Sequence, residues 1–523
     1  MEAYAMTTVT ITTIENYGLY QGKRGIDAHD VVTKTQKYER GGKWYPDSLE
    51  ETERSGVELP YSDWCSNLAA ASCNLLRLNL RGYNGGGELY CNLEPPPYGT
   101  YNVWHSILDP SDIATYRSDQ VTYPVNATLW NASNLKELLD QCDAYEVKIL
   151  PALFGTAEFT SGWPYHAWNI DNHYTDGSAC AVADRGFLTN AYEFFDDADA
   201  IQAAKDRMDF IIDVCGTHKC VVAWELMDEM SWLFNADFWG TTWTPTHIND
   251  NIRGKIVPWV QTMAQYIRDN DPYLRPIGGG ILRTPSNDWS ADADNYWNVI
   301  NEPFVVYPMD FVATNMYYGE DEFSDAMLHF KRCKEYTDKL IICTQYSPTS
   351  LQGTPIEEPS PFLWSKKMCW ITVCGERWGI TPIRWTGLNK TAPNYWVSGG
   401  YADPDYYSIG GVVETFCNNV DWNSWDPDNY VFNDYVSSAG TAEFNSYGDG
   451  ENVTMLLEWS TSGSKTIDVS NLSDGAYTFT YYDWTLGSIS GTMTPTAVGG
   501  SMSMSFDATG YQDNMVVAHL IKD

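Results

Sequence analysis

The chain has 523 residues, 43% of them hydrophobic, and a formal net charge of −37 at pH 7. Its length allows a large core and a second domain. The negative charge excludes nucleic acid as a partner, because nucleic-acid binding needs a basic surface, and it disfavours anionic membranes and polyuronates; a neutral polymer or small molecule fits better.

The N-terminal stretch MEAYAMTTVTITT lacks a basic segment followed by an apolar run, so we expect no signal peptide in this chain. No window approaches the roughly 18 apolar residues of a membrane span. The protein is therefore either cytoplasmic or a mature secreted form with a replacement start Met. Five N-x-S/T sequons are compatible with secretion, and we expect an extracellular protein. The sequons begin at Asn126, Asn131, Asn389, Asn452 and Asn471.

Helical and strand patterns alternate from about residue 60 to 425. Apolar residues at helical spacing predict helices at 62–73, 134–146, 200–215, 251–271, 322–336 and 360–379. Short apolar runs predict strands at 74–80, 147–155, 221–229, 275–281, 310–319, 339–347 and 380–386. The strands are rich in Val, Ile and Leu, which is typical of parallel strands buried on both faces.

Seven such strands, with a first one expected in residues 1–60, predict an α/β fold, a (β/α)8 TIM barrel. A doubly wound open sheet is the alternative, but it would normally carry a Gly-rich phosphate-binding turn after its first strand, and the sequence has none. ENYGLYQG (15–22) is one candidate for the first strand.

The pattern changes after residue 428. Short alternating runs such as KTIDVS and SMSMSFDA are separated by turns such as LSDGA, which predicts an antiparallel β-sandwich. We therefore divide the chain into a barrel domain at 1–428, including an N-terminal extension at 1–60, and a sandwich domain at 429–523. The second domain either packs on the barrel or binds carbohydrate.

The 12 cysteines all precede residue 418, no CxxC occurs, and the eight histidines are scattered, so we predict no metal site. Cys215 and Cys220 flank a short loop and could pair in an oxidising compartment. Trp224, Trp364 and Trp370 lie in helical or buried contexts and are expected in the core.

Polar and aromatic residues end the predicted strands, and the carboxyl ends of barrel strands face the active site. Each residue alone has a structural explanation, such as an ion pair or a solvated carboxylate. Their convergence on one rim predicts a site. The candidate site residues are Arg77, Asn79, Asp228, Glu229, Asn315, Tyr317, Gln345 and Trp385, and Phe154 ends a further strand at the same rim.

These strands resemble a known family. VVAWELMDE (221–229) resembles the "W-E-L-x-N-E" strand of clan A glycoside hydrolases, especially family five cellulases and β-mannanases. NLLRLNL, DFVATNMYYG and KLIICTQYS are similar to the second, sixth and seventh strands of that family. Residues 364–385 resemble the helix and eighth strand that end in a cleft tryptophan. The resemblance covers roughly 60–425.

The resemblance implies a retaining endo-β-glycosidase that acts on a neutral β-linked polysaccharide, β-1,4-glucan or β-mannan, without a cofactor. Glu229 would be the general acid/base and residue 345 the nucleophile. Arg77 would keep the nucleophile ionised, Tyr317 would hydrogen-bond to it, and Trp385 would stack under the −1 sugar. The other rim residues would contact substrate.

The sequence departs from the family where the nucleophile should be. Gln345 has the shape of glutamate without an ionisable oxygen, so it is a very poor nucleophile. Three explanations are open: an engineered replacement that inactivates the enzyme, a natural non-catalytic relative that binds glycan, or an alignment in which Glu376 of VCGERWG is the nucleophile. No feature of the sequence favours a further alternative, a purely structural protein with a decayed cleft.

Two further departures affect the sugar site. Asp228 stands where the family has Asn, whose amide donates to the sugar 2-hydroxyl; an ionised Asp only accepts, and it would raise the pKa of Glu229 by repulsion. Asn315 stands where His is usual. Both changes favour the non-catalytic alternative.

Overall fold

The computed structural model describes about half of the chain. The described residues are 25–28, 61–70, 75–79, 133–159, 188–216, 218–230, 233, 248–282, 309–317, 340–347, 370, 383–384, 404–420, 431–432, 435–437, 442–511 and 515–523.

Eight parallel strands form a closed barrel in chain order, and pairing of the first with the eighth strand closes the ring. The predicted barrel is therefore confirmed. The strands are β1 (Gly25–Ala28), β2 (Leu75–Asn79), β3 (Lys148–Gly155), β4 (Trp224–Asp228), β5 (Ile277–Leu282), β6 (Phe311–Tyr317), β7 (Leu340–Ser347) and β8 (Ile383–Arg384).

The position predicted for the first strand is wrong. The strand is GIDA, Gly25–Ala28, which pairs with β2 from Gly25 opposite Leu75 to Ala28 opposite Leu78. The candidate ENYGLYQG (15–22) precedes it and lies outside the described residues. Four residues with a single β-branched side chain carry too little pattern to identify a strand from sequence.

In the described part of the chain, helices precede four barrel strands, β2 to β5, as the sequence predicts. They are α1 (Tyr61–Ala70), α2 (Ser133–Ala144), α3 (Thr156–Phe159), α4 (Ala198–Cys215), α5 (Val257–Asn270) and α6 (Pro404–Asn419), with a 3-10 turn at Ala191–Phe195 and a π-helical segment at Ile248–Ile256. No helix within the described ranges is both long and apolar enough to cross a bilayer. The predicted helix at 322–336 lies outside the described residues.

Side chains of the barrel strands alternate between the barrel interior and the outer face that the helices cover. The Trp224 indole donates to Asp271 Oδ2 at 2.9 Å, and Asp271 directly follows α5, so Trp224 lies on the face that the helices cover. Because successive residues of a strand point to opposite faces, Glu225 faces the barrel interior. Trp224 and Trp370 are fully buried, which confirms their assignment to the core. Trp364 lies outside the described residues.

A buried cluster, here called the Arg275 network, fixes the amino-terminal ends of β4 and β5. Its members are Arg275, Asp271 and Trp224. Arg275 pairs with Asp271 at 2.8 Å and also donates to the backbone carbonyl of Val221 at 3.0 Å. Its Nη2 lies 3.3 Å from three more carbonyl oxygens, of residues 215, 216 and 218. One guanidinium therefore donates to carbonyls at the end of α4 and in the turn that leads into β4.

The C-terminal part consists of two antiparallel sheets around one hydrophobic core. The strands are β9 (Val431–Phe432), β10 (Val436–Ser437), β11 (Ala442–Gly448), β12 (Asn452–Trp459), β13 (Ser464–Val469), β14 (Gly475–Tyr482), β15 (Ile489–Met493), β16 (Thr496–Ala497), β17 (Met502–Asp507) and β18 (Met515–Lys522). One sheet has the order β10-β13-β17, and the other contains β15-β14-β18-β12-β11-β9, with β16 paired to β14.

Aromatic contacts join α6 to the larger sheet. The Phe416 ring lies edge-on to Tyr482 at 5.2 Å and to Trp370 at 5.3 Å between ring centroids. The Trp370 indole donates to the carbonyl of Trp484 at 2.6 Å. Burial in this junction lowers the pKa of His519 to about 4, so the imidazole is neutral at pH 7. The division of the chain at residue 428 stays a prediction.

Candidate active site

Glu229 follows the last residue of β4, at the carboxyl end of the barrel. Its φ is +52°, and its side chain is half-buried. A left-handed backbone at a residue other than Gly costs free energy and persists only where the surroundings fix it. The chain therefore turns sharply at Glu229, immediately after a strand that is buried throughout.

Three charged side chains with no solvent exposure lie next to this turn, and we call them the Arg77 network. They are Arg77 of β2 and Glu225 and Asp228 of β4. Arg77 Nε lies 2.6 Å from Glu225 Oε2, and Arg77 Nη2 lies 2.7 Å from Glu225 Oε1 and 2.8 Å from Asp228 Oδ1. The guanidinium thus reaches across β3 and holds two carboxylates of one strand.

The bidentate geometry matches a planar guanidinium to a carboxylate, which makes the pair with Glu225 the stronger of the two. Burial of three charges is tolerable only when each is paired and hydrogen-bonded, so the positions of these side chains are mutually dependent. Since Asp228 precedes Glu229, the network also fixes the peptide that leads into the candidate acid/base.

Two further contacts hold the backbone at Glu229. The buried hydroxyl of Thr156, at the start of α3, donates to the carbonyl of Asp228 at 2.8 Å. On the other side, Gly280 of β5 packs against the turn: a Cβ at that position would lie 2.5 Å from the amide nitrogen of Glu229 and 2.8 Å from the carbonyl oxygen of Met227. Only glycine fits there without displacing backbone.

The strands β6 and β7 bring two predicted rim positions side by side. Asn315 pairs with Gln345 in the parallel register, directly after an irregularity in which Thr314 pairs with Cys343. The extra residue, Thr344, is buried, and its hydroxyl donates to the carbonyl of Thr314 at 3.4 Å. Asn315 and Gln345 therefore lie on neighbouring strands, in the carboxyl-terminal half of each.

The eight candidate site residues fall into two groups. The structure brings Arg77 and Asp228 into direct contact and places Glu229 next to Asp228. Four others lie on barrel strands, but their side chains are outside the described part: Asn79, Asn315, Tyr317 and Gln345. Trp385 and the alternative nucleophile Glu376 lie outside the described residues altogether. Their roles stay predictions.

Sequence reasoning missed Glu225, Thr156 and Gly280. Glu225 lies inside the quoted motif VVAWELMDE, and its signal was a charged residue in the middle of an otherwise apolar buried strand. Such a residue needs a partner, and Arg77 is an oppositely charged residue in the middle of the predicted strand 74–80. Thr156 and Gly280 left no comparable signal, because they contact backbone atoms far away in the sequence.

One cluster of possible metal ligands lies at the other end of the barrel. Ligand atoms of Asp143, His218 and Cys220 lie within 4.8 Å of one another. His218 Nδ1 lies 3.0 Å from Asp143 Oδ2, Asp143 Oδ1 accepts from the Cys220 amide at 2.7 Å, and the Cys220 thiol donates to Leu139. These bonds already occupy the ligand atoms, so the cluster orders the turn before β4. The prediction that the chain has no metal site stays a prediction.

Comparison with known proteins gives a fold and no close relative. No protein-family model matches the chain, and no curated protein matches it. A glycoside hydrolase family 5 structure from Bacteroides vulgatus aligns over 88% of this chain and 86% of its own, with 11% identity and a TM-score of 0.50. The chain is similar in structure to glycoside hydrolases. The resemblance to clan A glycoside hydrolases is thereby confirmed at the level of the fold.

Other solved structures do not narrow the substrate. An Anoxybacillus alpha-amylase aligns over 96% of this chain and 99% of its own, with 9% identity and a TM-score of 0.50. An endo-beta-1,4-mannanase from Thermotoga petrophila aligns over 88% of this chain and 94% of its own, with 12% identity and a TM-score of 0.42. A family 5 enzyme and an alpha-amylase match equally well, so linkage and sugar must be argued from the site.

Proposed function

We propose that the chain derives from a retaining endo-β-glycosidase that cuts a neutral β-linked polysaccharide, β-1,4-glucan or β-mannan. The observation that carries the proposal is the position of Glu229: a half-buried carboxyl group in a left-handed turn at the carboxyl end of β4, beside the buried Arg77 network. Barrel enzymes place their catalytic groups at this end.

Glu229 would act as the general acid that protonates the leaving oxygen, and later as the base that activates water. Its partner in a retaining reaction is a carboxylate about 5–5.5 Å away that attacks the anomeric carbon. We assign that position to residue 345 on β7. With Gln there, no glycosyl-enzyme forms, so the chain as it stands is inactive or weakly active.

The remaining rim residues would bind the sugar. We assign this role to Asp228, Asn79, Asn315, Tyr317 and Trp385. The carboxylate of Asp228 is held by Arg77, so part of its charge is offset and its repulsion of Glu229 is weakened. A polymer of this kind is met outside the cell, and an extracellular location is part of the proposal. The net charge of −37 favours an uncharged glycan.

The second candidate function is glycan binding without hydrolysis. It is favoured by Gln345, which removes the nucleophile while keeping its shape, and by Asp228 in place of Asn. In that case the barrel would hold an oligosaccharide at the same rim. The C-terminal sheets, expected to form a β-sandwich, would either pack on the barrel or add a carbohydrate surface.

The test compares the chain with Gln345→Glu for release of reducing ends from β-1,4-glucan and β-mannan. We expect the substitution to raise the rate by about 10³-fold or more, because it restores the nucleophile. In the Gln345→Glu background, Glu229→Gln should lower that rate by about 10²–10⁴-fold. Glu376→Gln in the same background should change nothing, and it is the control for the alternative alignment.

The outcomes separate the two candidates. Tight oligosaccharide binding with no hydrolysis by either form supports the non-catalytic relative. If a folded Gln345→Glu protein shows neither oligosaccharide binding nor hydrolysis, both candidate functions are contradicted. If Glu376→Gln abolishes the rate and Glu229→Gln does not, the assignment of the rim is wrong. NMR of the first-formed product should show retention of the β-anomer, whereas inversion would contradict a covalent intermediate.

A further inference from the structure

Two cysteines from separate helices meet in the core of the barrel's helical layer. Cys65 lies on α1 and Cys142 on α2, 77 positions apart in the sequence, and their Sγ atoms are 3.5 Å apart. Both side chains are fully buried. Two thiols at this distance need only a small rotation or shift to reach bonding distance, which is about 2.05 Å in a disulfide.

The surroundings of Cys65 and Cys142 favour two thiols bonded to each other over a single reactive thiolate. The hydrogen bond with Cys65, and then burial, raise the pKa of Cys142 well above its usual range, so the group is a thiol and not a thiolate in the folded protein. A low-pKa nucleophile or a metal-ligating thiolate would need the opposite shift. What the geometry favours is a bond between the two sulfur atoms.

The nearby cysteines have different surroundings. The Cys220 thiol points to the carbonyl of Leu139, with sulfur and oxygen 3.6 Å apart. Cys215 is buried at the end of α4. The short loop between Cys215 and Cys220 makes them a candidate pair by sequence, but the structure turns Cys220 toward α2 instead.

We propose that Cys65 and Cys142 are a redox site that forms a disulfide between α1 and α2. The reaction needs a disulfide oxidant of low molecular weight, such as oxidised glutathione. One thiolate attacks the oxidant and releases one reduced glutathione; the second protein thiolate attacks the mixed disulfide and releases another. Two protein thiols lose two protons and two electrons, and one glutathione disulfide becomes two thiols.

Burial determines when the bond forms. In the folded chain neither sulfur is accessible, so exchange with the oxidant takes place during folding, or when α1 separates from α2. Once closed, the bond constrains a loop of 77 residues, and long loops gain most from such a constraint. It would fix the helix that leads into β2, the strand of Arg77. The inference does not depend on the proposed glycosidase activity.

The experiment refolds the full chain in oxidised and reduced glutathione, blocks remaining thiols with N-ethylmaleimide in denaturant, and digests it without reduction. Mass spectrometry should find a peptide pair linked through Cys65 and Cys142 that disappears after reduction. Cys142→Ser should abolish the pair, and the matched control Cys215→Ser should retain it. If refolding fails, native protein is oxidised in a low concentration of urea and analysed in the same way.

A second measurement separates a native bond from an accidental one. The oxidised protein should melt about 3 °C or more above the reduced protein, and Cys142→Ser should show no such difference. The proposal is overturned if both cysteines carry N-ethylmaleimide in protein that has refolded under oxidising conditions. It is also overturned if either cysteine links to another partner, or if the bond forms without a rise in melting temperature.

Discussion

Arg77 and Arg275 are both buried and both bound to carboxylates, but they lie at opposite ends of β4. Arg77 is shared between two carboxylates of the strand, that of Glu225 near its start and that of Asp228 at its carboxyl end. Arg275 pairs with one carboxylate, that of Asp271, and donates to backbone carbonyls that precede the strand. The same side chain is thus used in two different ways.

The difference separates stability from function. The Arg275 guanidinium donates to buried backbone carbonyls at the amino-terminal face of the barrel, a face that contributes to stability and not to catalysis. The Arg77 guanidinium instead holds Asp228, the residue before the candidate acid/base, at the carboxyl-terminal face where a substrate would bind. We therefore expect loss of the Arg77 network to affect both stability and glycan binding, and loss of the Arg275 network to affect stability alone.

The largest effect is expected for Arg77→Met. It leaves Glu225 and Asp228 buried without their cation, so the free energy of unfolding should fall by about 3–5 kcal/mol. Affinity for cello- or manno-oligosaccharides should fall at least about 100-fold, since the peptide before Glu229 loses its anchor. Denaturant unfolding and calorimetric titration measure the two quantities.

Arg77→Lys serves as the milder companion if Arg77→Met does not fold. It keeps the charge but loses the bidentate geometry with Glu225, so both effects should be intermediate. Oligosaccharide affinity that is unchanged in folded Arg77→Met protein would show that the Arg77 network is structural, like the Arg275 network.

Arg275→Met should cost a similar free energy of unfolding, about 3–5 kcal/mol, because buried Asp271 loses its cation and several carbonyls lose one of their donors. Well below its melting temperature, the variant should bind oligosaccharide within about twofold of the parent chain, a difference of about 0.4 kcal/mol. A tenfold loss of affinity in the folded variant would remove the distinction between the two ends of the barrel.

The barrel was predictable from sequence because its signals are local. Helical periodicity followed by an apolar run repeats along the chain, and β3 and β4 appear within a few residues of their predicted bounds. The position of the first strand was predicted wrongly because it has no such local signal. GIDA is too short to show a periodic pattern, and only its pairing with β2 and β8 defines it as a strand.

The site was predictable where chemistry marks the strand ends and unpredictable where geometry decides. Arg77, Asp228 and Glu229 stand out because charged residues interrupt or end buried strands. That Arg77 reaches Glu225 across β3 depends on strand tilt and register, which a sequence does not give. The role of Gly280 depends on contact between the backbones of β5 and the turn at Glu229. The sequence IGGGIL contains three consecutive glycines and does not indicate which of them makes that contact.

A smaller effect is expected for Gly280→Ala. The added Cβ would overlap the amide of Glu229 and the carbonyl of Met227, both backbone atoms that a side-chain rotation cannot relieve. The free energy of unfolding should fall by about 1–3 kcal/mol. In the Gln345→Glu background, the hydrolytic rate should fall about 100-fold, because a displacement of about 1 Å is enough to misplace a catalytic group.

Gly278→Ala is the matched control on the same strand. Its Cβ would contact the ring of Phe311 on β6 and not the turn at Glu229. We expect a comparable loss of stability with the rate per folded molecule nearly unchanged. If the two variants lose activity in parallel, Gly280 acts only through the packing of β5.

The smallest effect is expected for Thr156→Val, which removes one hydrogen bond to the carbonyl of Asp228 and keeps the shape of the side chain. Because the carbonyl stays buried, the free energy of unfolding should fall by about 1–2 kcal/mol, and the rate of the Gln345→Glu form should fall a few-fold. Thr262→Val is the control: its hydroxyl donates to the carbonyl of Pro258 at 2.7 Å on the exposed side of α5, where water can replace it. Equal and negligible effects of both substitutions would mean that Arg77 and Gly280 position Glu229 without help from Thr156.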